Sequence, residues 1–353
     1  MLHLYAGNAI VAKIRAIFGK RLTAADYAQM ARKRDVGEVA ALLKENSSYA
    51  LTLKNVSETT VHRGQLEELL KKDIFYKYTV LRNYDSSGSR FYDFILVRLE
   101  IDEILRCLML MRSHESTDFV IDMPTFLLNH ASFDLMELAR VTDYPSLLEC
   151  LAHTSYAAVL KACLAENGED VDPWTVEHAL YCYYYSFLLG EIESQFRGQT
   201  REQLKKVVLA EIEAKNIQLM FRLKFYYKLD AGQIKRFLYP GDYVMADRSG
   251  VVVVPHSRLD EVLEAESYDE MLTALDFLSK NGERIPEEDG IEPYTHRLCY
   301  QLEKRLLRFT TNAPVAMYTF LALREIEVQN IVTVIEGVRY QVPQEEILKM
   351  LIL

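Results

Sequence analysis

The sequence contains little glycine and proline and no long run of apolar residues. Its 353 residues include 14 Gly and 9 Pro, and 50% of them are hydrophobic. Leu, Ala, Glu, Lys, Met and Arg are common, and these straight-chain or small residues lose little rotamer freedom in a helix. The composition therefore predicts an all-α protein that is large enough for two or three hydrophobic cores.

An excess of positive charge is also missing. The formal net charge is −10, whereas a general nucleic-acid binder needs a net basic face to displace phosphate counterions. We therefore expect no nucleic-acid partner, while acidic and neutral-to-basic protein partners stay open.

No cysteine pair has the C-x-x-C spacing, and an odd number of cysteines does not make a disulfide framework. This favours a reducing cytoplasm. The five cysteines, all within apolar segments, are Cys107, Cys150, Cys163, Cys182 and Cys299.

A signal peptide and a membrane span are not evident either. Residues 1–22 carry cations at Lys13, Arg15, Lys20 and Arg21, which predicts an amphipathic helix. The longest weakly polar stretch, 179–190, is tyrosine-rich and short of the ~20 residues that cross a bilayer. We therefore expect a chain that does not span the membrane.

The common catalytic motifs are missing as well. The sequence has no H-E-x-x-H, no G-x-S-x-G, no G-x-G-x-x-G and no Walker motif. We therefore expect no cofactor, no small-molecule substrate and no enzymatic activity.

A repeated hexapeptide is present instead. Residues 211–216 read EIEAKN and residues 325–330 read EIEVQN, a spacing of 325 − 211 = 114 residues. A looser copy, RLEIDE, occupies residues 98–103, at 211 − 98 = 113. The aligned polar positions form three pairs with i, i+3 spacing, which places each pair on one helical face. The pairs are Glu100 with Glu103, Glu213 with Asn216, and Glu327 with Asn330.

A second repeated element is a short capped helix. Residues 35–43, 143–151 and 267–275 each begin with a small polar residue, Asp or Ser, and carry large apolar residues four and eight positions later. This pattern is typical of an amphipathic helix with a capped N-terminus. The first two copies continue to a matching tail, NSSY ending at Tyr49 and HTSY ending at Tyr156, which the third copy lacks.

The spacings between the copies of these two elements, together with breaks at Pro124 and Pro240, predict three pseudo-equivalent helical units of about 115 residues. The predicted units are 1–124, 125–239 and 240–353. One segment does not fit this pattern, because 243–255 carries a β-branched run after a Ser-Gly turn, which indicates a possible short β-hairpin.

The three polar pairs could form a metal or acid-base site, or they could be structural. Di-metal helical bundles use Glu-x-x-His, and no His in this chain has Glu three positions before it. The structural hypothesis is that each pair bonds to helix ends or backbone and fixes how helices meet. We favour it, because an enzyme rarely needs its site three times in one chain.

Both ends of the sequence resemble a known family. The stretch 318–347, with Glu325, Glu327, Asn330 and the closing PQEEI, resembles the C subunit of bacterial and archaeal V-type ATPases, which is homologous to the eukaryotic d subunit. The opening segment 8–43 is similar to the start of the same family. With the repeats, the resemblance covers the full length.

The resemblance implies a pseudo-threefold helical funnel without an active site. Such a protein would lie on the cytoplasmic face of the membrane, peripheral to it. It would connect the central stalk subunits to the proteolipid ring and pass torque between ATP hydrolysis or synthesis and proton or sodium transport.

Two alternatives remain at this point. A soluble all-helical scaffold or adaptor unrelated to rotary ATPases would keep the repeats and have no membrane partner. A helical enzyme using Tyr and Glu residues would need a pocket with perturbed carboxylates.

Overall fold

Helices form the regular structure of the chain. The computed structural model describes residues 2–85, 87–113, 123–164, 171–239, 257–274 and 291–353. No strand occurs in these ranges, so the all-α prediction is confirmed. The possible hairpin at 243–255 lies outside the described residues.

Sixteen α-helices lie in the described ranges, with short 3-10 turns at Arg90–Asp93 and Thr125–Leu127 and a π turn at Arg222–Tyr226. In chain order they are α1 (Leu2–Phe18), α2 (Ala24–Met30), α3 (Val36–Asn46), α4 (Arg63–Arg82), α5 (Phe94–Ser113), α6 (Leu135–Leu138), α7 (Tyr144–Cys150), α8 (Tyr156–Ala162), α9 (Pro173–Gln195), α10 (Gly198–Phe221), α11 (Ala231–Lys235), α12 (Ser257–Glu264), α13 (Tyr268–Ala274), α14 (Glu292–Phe309), α15 (Ala313–Arg339) and α16 (Gln344–Lys349).

The predicted caps are present at the starts of α3, α7 and α13. Asp35, Asp143 and Ser267 each accept a hydrogen bond from the backbone N–H three residues later, at 2.8–3.2 Å. The described apolar residues on the predicted face, among them Leu147 and Met271, are buried, and Leu275 lies outside the described residues. Each cap oxygen satisfies an N–H that the first turn of a helix leaves without a partner.

By its contacts the chain divides into two compact units. Unit 1 comprises 1–88, 202–207 and 292–353, and unit 2 comprises 89–201 and 208–291. Unit 1 therefore combines parts of the first and third predicted repeat units, together with a short part of the second. The three repeat units themselves stay a prediction.

Unit 1 is built around α15. This helix packs against α14, α4 and α1, and most of its residues are buried. It ends where Gln341 adopts a left-handed conformation with φ of 56° and Val342 N–H donates to the Gly337 carbonyl at 2.8 Å. A Cβ at Gly337 would lie 2.5 Å from the Cγ1 of Ile347, so only glycine lets α16 pack this closely.

Unit 2 is built around α9, which packs against α5 and α8. The tyrosine-rich stretch lies in this helix, where Tyr184 and Tyr185 are buried and their rings meet edge to face at 5.2 Å between centroids. Cys182 is fully buried beside His178. None of the helices in the described ranges combines the length and the apolar character that crossing a membrane requires.

Candidate functional site

Glu327, on α15, is the centre of a buried polar cluster in unit 1. Its Oε1 accepts hydrogen bonds from the Tyr49 hydroxyl at 2.9 Å and from Arg324 Nη1. Its Oε2 accepts from the backbone N–H of Leu22 at 3.2 Å. One carboxylate thus ties α15 to the segment before α2 and to the segment after α3.

Arg324 extends this cluster to α4. Its guanidinium is 1% exposed, donates to Asp73 Oδ2 at 2.9 Å and lies 4.4 Å from the Tyr49 ring centroid. Asp73 also accepts from Lys77 and from the Thr52 hydroxyl. The buried Arg324 and the partly buried Lys77 thus face two buried carboxylates, so the cluster is balanced in charge.

Burial is the main cause of the pKa shifts of Tyr49 and Lys77. It raises the pKa of Tyr49 well above its ordinary value, against the opposing effect of Arg324. Burial, and then the positive charge of Arg324, lower the pKa of Lys77 despite the nearby Asp73. Tyr49 therefore stays a neutral donor that is suited to a carboxylate acceptor.

Glu100, on α5, is the centre of a similar cluster in unit 2. Its Oε2 accepts from the Tyr156 hydroxyl at 2.6 Å, and its Oε1 accepts from the backbone N–H of Ser132. Burial raises the pKa of Glu100 above its ordinary value, and the hydrogen bonds from Tyr156 and Ser132 only partly oppose this. The position that corresponds to Arg324, three residues before the glutamate, is Val97.

Two asparagines bind backbone in the same way, each within one unit. The side chain of Asn330 donates to the Ile352 carbonyl at 2.7 Å and accepts from the Ile352 N–H at 2.9 Å. Asn216 donates to the Tyr239 carbonyl at 2.8 Å and accepts from its N–H at 2.7 Å. Each amide therefore satisfies both polar groups of one residue that lies 22 or 23 positions later in the sequence.

The other two predicted positions differ. Glu103 accepts from Arg106 on its own helix, with Nε at 3.1 Å, and Glu213 is only half-buried. Of the six residues, Glu327 and Asn330 belong to unit 1, and the other four belong to unit 2.

The residues that the sequence did not connect are Tyr49, Tyr156, Arg324 and Asp73. The two tyrosines end the repeated tails, so a signal for them was present, but nothing in the sequence pairs them with the glutamates. Arg324 closes the apolar stretch 315–323, and a cation there is an unusual feature that could have indicated a buried ion pair.

The arrangement joins helices to neighbouring backbone segments and so fixes how they meet. The Glu100 and Glu327 carboxylates point at backbone N–H groups and at tyrosines whose protons are held firmly. In the part of the chain that the structure describes, no three His, Cys, Asp or Glu side chains converge as metal ligands would.

Comparison with known proteins gives two findings. The family model described as "ATP synthase (C/AC39) subunit" matches residues 10–350. The chain is also 23% identical over 360 residues to the C subunit of the A-type ATP synthase of Methanosphaera stadtmanae, an alignment that covers 97% of this chain and 86% of that protein.

Proposed function

The chain belongs to the ATP synthase (C/AC39) subunit family, and on that premise we propose that it is a non-catalytic rotor subunit. It couples the central stalk of a V/A-type rotary ATPase to the proteolipid ring and passes torque between ATP hydrolysis or synthesis and proton or sodium transport. It lies on the cytoplasmic face of the membrane without spanning it.

The observation that carries this proposal is the extent of the family match. Residues 10–350 include nearly all of both terminal segments, 8–43 and 318–347, on which the resemblance rests, and every helix from α2 to α16. A match of this extent leaves little of the chain for an added catalytic domain.

The buried clusters support a mechanical role. A protein that transmits torque must resist deformation, and close-packed helices joined by buried hydrogen bonds and ion pairs do so. In unit 1 the contacts of Glu327 and Arg324 join α15 and α4 to the segments beside α2 and α3. These contacts stiffen the unit at its centre.

The similar contacts of the two clusters also support the repeated architecture. Glu327 accepts from Leu22 N–H and the Tyr49 hydroxyl, and Glu100 accepts from Ser132 N–H and the Tyr156 hydroxyl. We therefore retain three helical units arranged as a pseudo-threefold funnel that receives the foot of the stalk.

Native mass spectrometry of a tagged chain, purified from gently solubilised membranes of its own host, tests the proposal. We expect recovery together with a ring of small apolar subunits and with stalk subunits. Recovery of soluble partners alone would contradict it and would favour a soluble helical scaffold.

A further inference from the structure

Positive charge is concentrated in unit 1, although the chain as a whole is acidic. Unit 1 contains 23 Lys and Arg against 17 Asp and Glu, a net charge of +6, whereas unit 2 contains 18 against 34, a net charge of −16. A charge separation of this size predicts that unit 1 is the part of the chain that attracts an anionic partner.

Three segments of unit 1 meet at the end of α14. Arg15 Nη2 donates to the carbonyls of Arg308 at 3.0 Å and of Thr310 at 2.7 Å, which joins α1 to the helix end. Gln203 Oε1 accepts from the Thr310 hydroxyl at 3.0 Å, which joins the segment 202–207 to the same place. The contacts bring Arg15, the end of α14 and the segment 202–207 together.

The charge on these segments is almost entirely positive. Residues 2–21, 202–207 and 304–312 together contain nine Lys and Arg and a single carboxylate, Glu202. The net charge of these segments is therefore +8, although Glu303 directly precedes the third of them, and this charge contributes a positive potential where they meet.

We name the exposed part of this surface the basic cap and define it by Arg15, Lys206, Arg305, Arg308 and Phe309, all of which are exposed. Arg305, Arg308 and Phe309 share one face of α14 by their i, i+3 and i+4 spacing. Phe309 is 69% exposed, and the Arg308 guanidinium carbon lies 5.4 Å from its ring centroid.

We propose that the basic cap docks on the anionic phospholipid headgroups of a membrane surface. Flexible cations around an exposed aromatic ring are the combination that peripheral proteins use at such surfaces, where the cations meet phosphates and the ring enters the interface. The inference rests on the proposed function only for the presence of a membrane nearby.

An acidic protein is the other anionic partner to consider, and the surface fits it less well. A protein partner is held mainly by anchors buried in pockets. The two surface cavities described in unit 1, of about 830 Å³ and 350 Å³, are lined by other residues, from Asp35 to Arg339 and from Arg63 to Met350. The basic cap presents long side chains and one ring instead, which suits fluid headgroups.

Vesicle flotation of the purified full-length chain tests the inference directly. The vesicles are pure phosphatidylcholine or phosphatidylcholine with about one third phosphatidylglycerol. We expect binding to the anionic vesicles alone, weakening as salt is raised. Removal of each cation should weaken binding about 5-fold, so Arg305→Gln with Arg308→Gln should weaken it about 25-fold.

A matched variant separates the basic cap from general charge. Lys54→Gln with Lys72→Gln removes two exposed cations of unit 1 that lie outside it, and this variant should float like the wild type. Phe309→Ser should weaken binding even at high salt, because insertion of the ring depends less on charge than headgroup contact does.

Two results of the vesicle assay would overturn the inference: no binding of the wild type to anionic vesicles at low salt, or equal losses of binding in the two double variants. A third would be that the wild type does not bind vesicles, while the Arg305/Arg308 variant no longer co-purifies with subunits that the wild type retains. The last result would identify an acidic protein as the partner. Failure of the proposed function gives a different result, in which the chain binds vesicles but is purified from host membranes without a proteolipid ring.

Discussion

The Glu327 cluster of unit 1 and the Glu100 cluster of unit 2 both hold a buried glutamate by hydrogen bonds, but the charges around the two glutamates differ. Both glutamates accept a tyrosine hydroxyl and a backbone N–H. Glu327 also has Arg324 as a buried counterion, whereas Val97 stands at the corresponding place beside Glu100. The difference shows that the hydrogen-bond geometry does not depend on the ion pair.

Removal of Arg324 should have the largest effect. Arg324→Met leaves Asp73 and Glu327 buried without their shared cation, and breaking such a pair costs ~3–5 kcal/mol of unfolding free energy. Urea unfolding of the variant measures this loss. Val97→Ala, at the corresponding position of unit 2, should cost ~1 kcal/mol, since it removes only apolar contacts. Similar losses at the two positions would mean that Arg324 acts by packing.

Neutralising the two glutamates should lower the unfolding free energy by different amounts. Glu327→Gln removes a partner of Arg324 and should cost ~3 kcal/mol near neutral pH. Glu100→Gln should cost much less there, because a neutral amide can accept from Ser132 N–H and donate to the Tyr156 oxygen.

The sign of the pH dependence follows from the raised pKa of Glu100. The folded chain binds more protons than the unfolded chain between the ordinary pKa and the raised one, so the wild type loses stability as pH rises through that window. The unfolding free energy of the wild type minus that of Glu100→Gln should therefore fall as the pH rises above the ordinary pKa of a glutamate. A difference that rises with pH would contradict the electrostatic setting described for Glu100.

The asparagines should behave alike, which makes them the control for the comparison. Asn330→Ala and Asn216→Ala each remove two hydrogen bonds to the backbone of one residue, and each should cost ~2–3 kcal/mol. Denaturant unfolding of both variants measures this. A loss at one position alone would show that the two contacts, although equal in geometry, differ in their surroundings.

Removal of the tyrosine hydroxyls should have the smallest effect. Tyr156→Phe deletes one of two donors to Glu100 and should cost ~2 kcal/mol, whereas Tyr49→Phe leaves Arg324 and Leu22 N–H on Glu327 and should cost ~1 kcal/mol. Thermal unfolding of the two variants ranks them, and the reverse order would show that Arg324 does not support Glu327.

The sequence predicted the local parts of this structure well. Helices, caps at Asp35, Asp143 and Ser267, and burial of the apolar face follow from periodicity and cap chemistry, which act over a few residues. The pairing of Glu327 with Tyr49 joins positions 278 apart, and no local rule encodes it. Asp73 follows two lysines in the sequence and resembles a solvated face, although it is buried beneath Arg324.

In the proposed role the chain couples ATP turnover to ion transport without catalysing either. The direct test compares ATP hydrolysis and ion uptake in host membrane vesicles that lack this protein, before and after the purified chain is added back. We expect no ATP-driven ion uptake without the chain and its restoration with it, while the chain alone hydrolyses no ATP. Equal uptake with and without the chain would contradict it.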